Sequence, residues 1–287
     1  MIELSMHVDN WRHQDAPLRV PCEFARNHGM KYVELGSVNG DYFVHSLGYN
    51  PHVALHIDPI RLKRYFDSMG LKVSQVDAAY PMSGPDGQFR GIPYTIEAIK
   101  FARAIGCPCV DTTDGAAKPA GYSDDEVKAL VKQYYRVVLE WAESHEIIIN
   151  VEPHGPYTTN PDFMQWLFDT YDDSPWLRMN FDAGNTFISG QDPVKFLERF
   201  KHKVSHMHIK DVSESLAKAC RGEETGIATS VVAIGEGVNA DNIARCIEIL
   251  KEMRWDGILS IECEAVPGNV EKSLEWLRKQ LGKSSEI

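Results

Sequence analysis

The run IIINVEPHGPYTTNPDFMQWLFDTYDDSPWLRMNFD, residues 147–182, decides the fold. It opens on a short apolar stretch rich in β-branched residues, IIINVE (147–152). It passes a Pro-Gly turn and an amphipathic segment at 161–172, and closes on a second strand-like stretch, RMNFD (178–182). Strand, helix and strand in about 35 residues is the pattern of a parallel βαβ unit.

The same alternation continues in both directions. Towards the N-terminus, strands are expected at IELSMHV (2–8), YVELG (32–36), KVSQVDA (72–78) and CVDTT (109–113). Helices are expected between them at 17–29, 58–69, 93–105 and 124–145. Asp58 and Ser123 are natural N-caps, and Gly29, Gly70 and Gly106 natural stops. Asp124, Asp125 and Glu126 suit the positive end of a helix dipole. Towards the C-terminus come a helix at 192–201, the strand VSHMHIK (204–210), a helix at 240–253, the strand ILSIECE (258–264), a helix at 269–281 and a frayed tail, GKSSEI. Eight β-then-α units imply an α/β protein, a single-domain (β/α)8 TIM barrel over residues 1–287. An open doubly wound sheet would want a Gly-rich phosphate turn after an early strand, and the chain has none. Two connections, 36–57 and 210–239, are long enough to act as lids or subunit contacts.

Bulk composition narrows the partners. The 287 residues carry a formal net charge of -11 without a Lys/Arg-rich run, so the surface repels nucleic acid and anionic lipid. No apolar run reaches the roughly 18 residues of a membrane span. The N-terminus MIELSMHVDN lacks the basic and apolar regions of a signal peptide. The cysteines at 22, 107, 109, 220, 246 and 263 form no CxxC pair and read as reduced thiols. A cytoplasmic location follows as the expectation.

In such barrels chemistry sits at the C-terminal ends of the strands. Four successive expected strands end in, or reach, a metal-ligand type: Glu152, Asp182, His208 and Glu262. Three carboxylates packed at one mouth would repel and raise each other's pKa, and a divalent cation removes that conflict. Three oxygens and one nitrogen suit Mn²⁺, with Mg²⁺ or Co²⁺ also accommodated. Taken singly, each carboxylate reads equally as a cap or ion-pair partner, and His208 as a hydrogen-bonded core histidine; the joint placement favours a metal site. His154, two residues after Glu152, is either a general base over the site or an idle loop histidine. Lys210 either polarises a carbonyl oxygen or pairs with Asp211. Asn185, Lys210, His7 and Glu34 are the expected substrate contacts.

The runs NVEPHG, NFDAGN, HMHIKD, GEGVN (235–239) and GILSIECE resemble the xylose-isomerase-like superfamily of sugar isomerases and epimerases, over nearly the whole chain. That resemblance implies one Mn²⁺, Co²⁺ or Mg²⁺ held by Glu152, Asp182, His208 and Glu262. In ketose 3-epimerases of the superfamily the two metal-bound glutamates also exchange a proton, a role that would fall to Glu152 and Glu262. Those enzymes usually carry a His where this chain has Asn185. The Glu-Pro-His run and the segment 213–243 are more similar to the large (alpha) subunit of bacterial C-glycoside deglycosidases. This implies a lyase acting on 3-keto-C-glycosides, with His154 as base and a small β-type subunit as partner in a hetero-oligomer. Superfamily dehydratases share similar Glu-x-His arrangements. A non-catalytic sugar-binding barrel would need one of the four ligands missing, and a metal-dependent DNA endonuclease would want more ligands and a basic face.

Overall fold

Stretches of alternating Val, Ile, Met and Phe form nine strands, and every pairing between them is parallel. The computed structural model describes all residues except 13, 15, 40–50, 116, 173, 224–225, 228–230, 264–267 and 284–287. Half of the 36–57 connection, part of the 210–239 connection, the last residue of the expected strand 258–264 and the end of the tail therefore lie outside the described residues.

In chain order the elements are β1 (Glu3–Met6), α1 (Arg19–Asn27), β2 (Tyr32–Val38), β3 (Val53–Ala54), α2 (Pro59–Met69), β4 (Lys72–Asp77), α3 (Ile92–Ile105), β5 (Cys109–Thr112) and α4 (Asp124–His145). There follow β6 (Ile148–Val151), α5 (Pro161–Thr170), β7 (Leu177–Asp182), α6 (Ala183–Ile188), α7 (Pro193–Phe200), β8 (Val204–Ile209), α8 (Glu214–Cys220), α9 (Ala240–Glu252), β9 (Ile258–Ile261) and α10 (Asn269–Gln280). The sheet order is β1-β9-β8-β7-β6-β5-β4-β2-β3. A parallel bridge between His7 and Glu34 joins the chain just past β1 to β2, so the sheet curls back on itself as a TIM barrel.

The eight expected strands and the eight expected helices are present, with no end more than three residues from its expected place. Local chemistry explains the fidelity. The Asp58 carboxylate accepts from the backbone N–H groups of Ile60 and Arg61, and Gly70 ends α2 in the left-handed conformation. Ser123 and Glu126 form a reciprocal capping box at the start of α4. Three short elements, β3, α6 and α8, are additional. The expected strand 2–8 stops early, and Val8–Trp11 turns into a 3-10 helix.

Side chains alternate along a strand. In β6 to β9 the odd positions Ile149, Val151, Met179, Phe181, Met207, Ile209, Leu259 and Ile261 are buried and apolar. They belong to one continuous hydrophobic core with the helices. The even positions Asn150, Glu152, Asn180, Asp182, His206, His208 and Ser260 are also buried, and all are polar. The second set shares the inner face of the barrel. All six cysteines are free thiols, five of them buried. Among the described residues no helix is long and apolar enough to cross a membrane.

Candidate metal centre

Ladder hydrogen bonds carry the sheet just beyond its strand ends and fix the backbone of the four candidate ligands. Glu152 N–H donates to Thr112 C=O at 3.0 Å, and Glu262 N–H to Ile209 C=O at 3.0 Å. Asp182, the last residue of β7, lies opposite His208 in β8. As a result one donor atom from each of Glu152, Asp182, His208 and Glu262 lies within 4.8 Å of every other. The structure brings the four residues together, at the end of the barrel that the strand order predicts.

Asp182 divides its oxygens. Oδ1 accepts from Asn185 N–H at 2.7 Å and caps α6. Oδ2 is buried without a hydrogen bond and has only an ion-pair contact, 3.3 Å from Lys210 Nζ. Glu262 Oε2 is likewise buried without a well-directed hydrogen bond, 3.0 Å from Lys210 Nζ and 3.2 Å from His208 Nδ1. Such oxygens, buried, under-satisfied and close together, are what a cation would satisfy. The donor set and its spacing therefore fit a divalent metal.

The electrostatics are those of a site waiting for positive charge. Burial, with further repulsion from Glu152 and Glu262, pushes Asp182 up to about 7 despite Lys210. Burial also raises Glu152, against the pull of His208. Burial would raise Glu262 too, but Lys210 and His208 outweigh it and hold its carboxyl well below the usual range. Burial opposes charge on His208, yet Glu34 and Glu262 keep it protonated well above its ordinary value. Its Nδ1 lies 2.9 Å from Glu152 Oε1, and its Nε2 lies 2.8 Å from Glu34 Oε1. A metal taken up by Nδ1 must displace a proton from that nitrogen.

His154 lies in the turn after Pro153, partly buried. Thr158 clamps this turn: its Oγ1 accepts from His154 N–H at 2.8 Å and donates to His154 C=O at 3.1 Å. Gly155 makes the turn possible, with φ of 106° and no room for a Cβ against the Gly115 carbonyl oxygen. The imidazole Nδ1 is buried and has no hydrogen-bond partner. Burial first, and then Lys210, lowers its pKa, so the ring is neutral and basic at neutral pH.

A cavity of about 360 Å³ opens beside these groups, and Glu152, His154, His208 and Glu262 line it together with Asp9 and Asp77. The volume suits a sugar-sized molecule. None of the four expected substrate contacts is part of that lining. Asn185 instead points its amide at Glu152 Oε1, at 3.4 Å. His7 lies behind the wall, 3.3 Å from Asp9 and 3.7 Å from Asp77. Glu34 sits inside β2 and reaches His208 Nε2 with its Oε1. Lys210 pairs with Asp182 and Glu262 rather than with Asp211.

Asp211 has a different task. Its Oδ2 accepts from Gly235 N–H at 3.0 Å and Gly237 N–H at 2.9 Å, and its Oδ1 from Asn239 N–H at 3.0 Å and Val212 N–H at 2.8 Å. Gly237 packs so closely on this carboxylate that a Cβ would collide with it. The GEGVN run is thus an anchor for the returning end of the long 210–239 connection. Asp211→Ala would leave four backbone donors without an acceptor, at about 1–3 kcal/mol for each one that stays dry. A loss of at least about 3 kcal/mol in urea unfolding is the expected outcome; a loss below about 1 kcal/mol would show that water replaces the carboxylate.

Sequence reading missed Asp9, which lines the cavity, and two strand-borne carboxylates near the site. Asp77 ends β4, and its Oδ1 is buried without a partner. Asp111, in β5, accepts at Oδ2 from Asn180 Nδ2 at 3.1 Å. Burial, with repulsion from Glu152, raises Asp111 well above the carboxylate range. Both sit at or near a strand end, the same signal that marks the other four.

Comparison with known proteins agrees with this architecture. A stretch of 102 residues is 29% identical to an inosose dehydratase of Clostridium botulinum (strain Alaska E43 / Type E3), spanning 34% of this chain and 34% of that relative. The match thus covers about a third of the relative's length. Among solved structures, a D-tagatose 3-epimerase-like protein superposes with a TM-score of 0.71 at 20% identity, covering 98% of this chain and 97% of that one. The IOLI protein, solved with a bound zinc atom, gives a TM-score of 0.74 at 15% identity, covering 98% of each chain. These two likenesses show the fold. The xylose isomerase-like TIM barrel model matches residues 22–280, and the chain belongs to that family.

Proposed function

We propose that this protein is a divalent-metal-dependent lyase that removes a proton beside the keto group of a sugar ring and expels the neighbouring substituent. The observation that carries the reading is the neutral His154, whose side chain lines the same cavity as Glu152, His208 and Glu262. A base and a charge-stabilising centre side by side are what α-proton abstraction requires.

The substrate proposed is a 3-keto-C-glycoside. Glu152, Asp182, His208 and Glu262 would hold the ion, with Mn²⁺ the best match to an oxygen-rich set. The ion, when bound, supplies Lewis-acid stabilisation of negative charge on the substrate's oxygens. The His154 imidazole takes the proton from C2. The C1–C bond to the aglycone then breaks and its electron pair leaves with the aglycone carbon. That carbon gains the proton His154 holds, and the sugar keeps a C1=C2 double bond conjugated with the C3 carbonyl. Thr158 and Gly155 keep the base in place by fixing its turn. Pairing with a small β-type subunit belongs to the same reading.

A second reading has its own support. Relatives matched by sequence include inosose dehydratases, each over about a third of its length. Loss of water from a cyclic keto-polyol uses the same proton abstraction with hydroxide as the leaving group. The two are separated by offering the Mn²⁺-loaded protein a 3-keto-C-glucoside and an inosose in parallel. Aglycone release from the first alone is expected, while an unsaturated product from the inosose alone would make the chain a dehydratase.

A further inference from the structure

Glu34 has no place in the chemistry above, yet it is fully buried and in direct contact with a candidate ligand. Its Oε1 accepts from His208 Nε2 at 2.8 Å and from Gln75 Nε2 at 2.7 Å. Gln75 is held in turn, its Oε1 accepting from Asn150 Nδ2 at 2.5 Å. A chain of amides thus braces the carboxylate from behind.

We propose that Glu34 is the positioning residue of the metal centre: it occupies His208 Nε2 so that Nδ1 alone faces Glu152, Asp182 and Glu262. The proposal rests on the metal reading of those four residues. An imidazole offers two donor nitrogens, and the partner of one decides which the metal meets. The geometry already shows the division, with Nδ1 2.9 Å from Glu152 and 3.2 Å from Glu262 while Nε2 is taken. A carboxylate on the far nitrogen also strengthens the ring as a ligand.

Glu34 has a rival role, because Glu34, His206 and His208 likewise place donor atoms within 4.8 Å of one another. Glu34 Oε2 and His206 Nε2 are both buried without a hydrogen bond, 3.8 Å apart. A second ion there would have to strip the proton that His208 Nε2 shares with Glu34, leaving His208 with an ion on each nitrogen. The 2.8 Å contact favours a hydrogen bond over that arrangement.

The test is titration of the metal-stripped full-length chain with Co²⁺, following both affinity and the visible absorption of the saturated protein. Wild type should bind one ion at this centre. Glu34→Leu should bind it up to about 100-fold more weakly, and Glu34→Gln, which keeps an acceptor oxygen but not the charge, about tenfold more weakly. Both should show displaced absorption bands at saturation, a change that loss of packing alone would not produce. Thermal melts of the metal-free variants establish that they fold, and should Glu34→Leu not fold, Glu34→Gln decides. Affinity and spectrum unchanged in Glu34→Gln would overturn the proposal. So would two ions on wild type with one lost in the variants, which would make Glu34 a ligand. A wild type that binds no Co²⁺ would overturn the metal reading itself, and that failure is recognisable because it precedes any substitution.

Discussion

Asp182→Asn is expected to lower divalent-metal affinity by more than about 100-fold, beyond the 10–100-fold typical of residues that only support a ligand. The substitution is chosen because Asp182 does two things. An asparagine oxygen can still accept from Asn185 N–H, so the cap on α6 survives. What disappears is the charge on Oδ2, the buried oxygen 3.3 Å from Lys210 Nζ that makes no hydrogen bond among the described residues. The metal-free variant should remain folded, and its stability should respond to pH in a defined direction. Burial raises the folded-state pKa of Asp182 to about 7, above its unfolded value of 3.8. The wild-type carboxyl therefore costs stability progressively as pH rises from about 4 towards 7, and the full cost is present above 7. Asparagine removes that cost, so metal-free Asp182→Asn should melt no lower than metal-free wild type at pH 7–8. Calorimetric titration with Mn²⁺ and melting curves of the stripped proteins check both halves. Retained affinity would remove Asp182 from the ligand set.

His154→Gln should do the reverse, leaving metal affinity within a factor of about two while turnover falls by about 10²–10⁴-fold, the usual contribution of a positioned general base. The imidazole Nδ1 makes no hydrogen bond in the protein, and the turn is held through the backbone by Thr158. The stability cost should therefore stay within about 0.5 kcal/mol. Gln cannot take the proton but occupies similar space. Unchanged turnover with intact metal binding would assign the proton transfer to another group, with Glu152 next in line because burial raises its pKa and makes it a stronger base.

Much of this was legible before any coordinates. Asp58, Ser123, Gly70 and Gly106 mark helix ends through strictly local chemistry, and the structure uses each as expected. The four candidate ligands were visible because the period of two in β6 to β9 places Glu152, Asp182, His208 and Glu262 on one face, and a parallel sheet sets them side by side. What stayed hidden depends on reach across the barrel. Lys210 and Asp211 are neighbours in sequence, but the sheet turns them to different sides, one to the site and the other to the GEGVN anchor. Glu34 lies mid-strand in YVELG, and its contact with His208, 174 residues away in the chain, exists only once the sheet has curled. Asp77 obeyed the strand-end rule and was passed over because its neighbours KVSQV carry no second ligand type. The helix α6 was missed because AGNTFI has little helical pattern of its own; its start is supplied by Asp182.

The most direct test of the proposed chemistry is a proton NMR time course in D2O with Mn²⁺, in which the protein meets a 3-keto-C-glucoside and a free ketohexose in one tube. The account predicts release of the aglycone and growth of an olefinic sugar signal, with the ketohexose unchanged. Deuterium entering the ketohexose as a new epimer appears, with the keto-glycoside intact, would contradict it and point instead to an epimerase in which Glu152 and Glu262 move the proton.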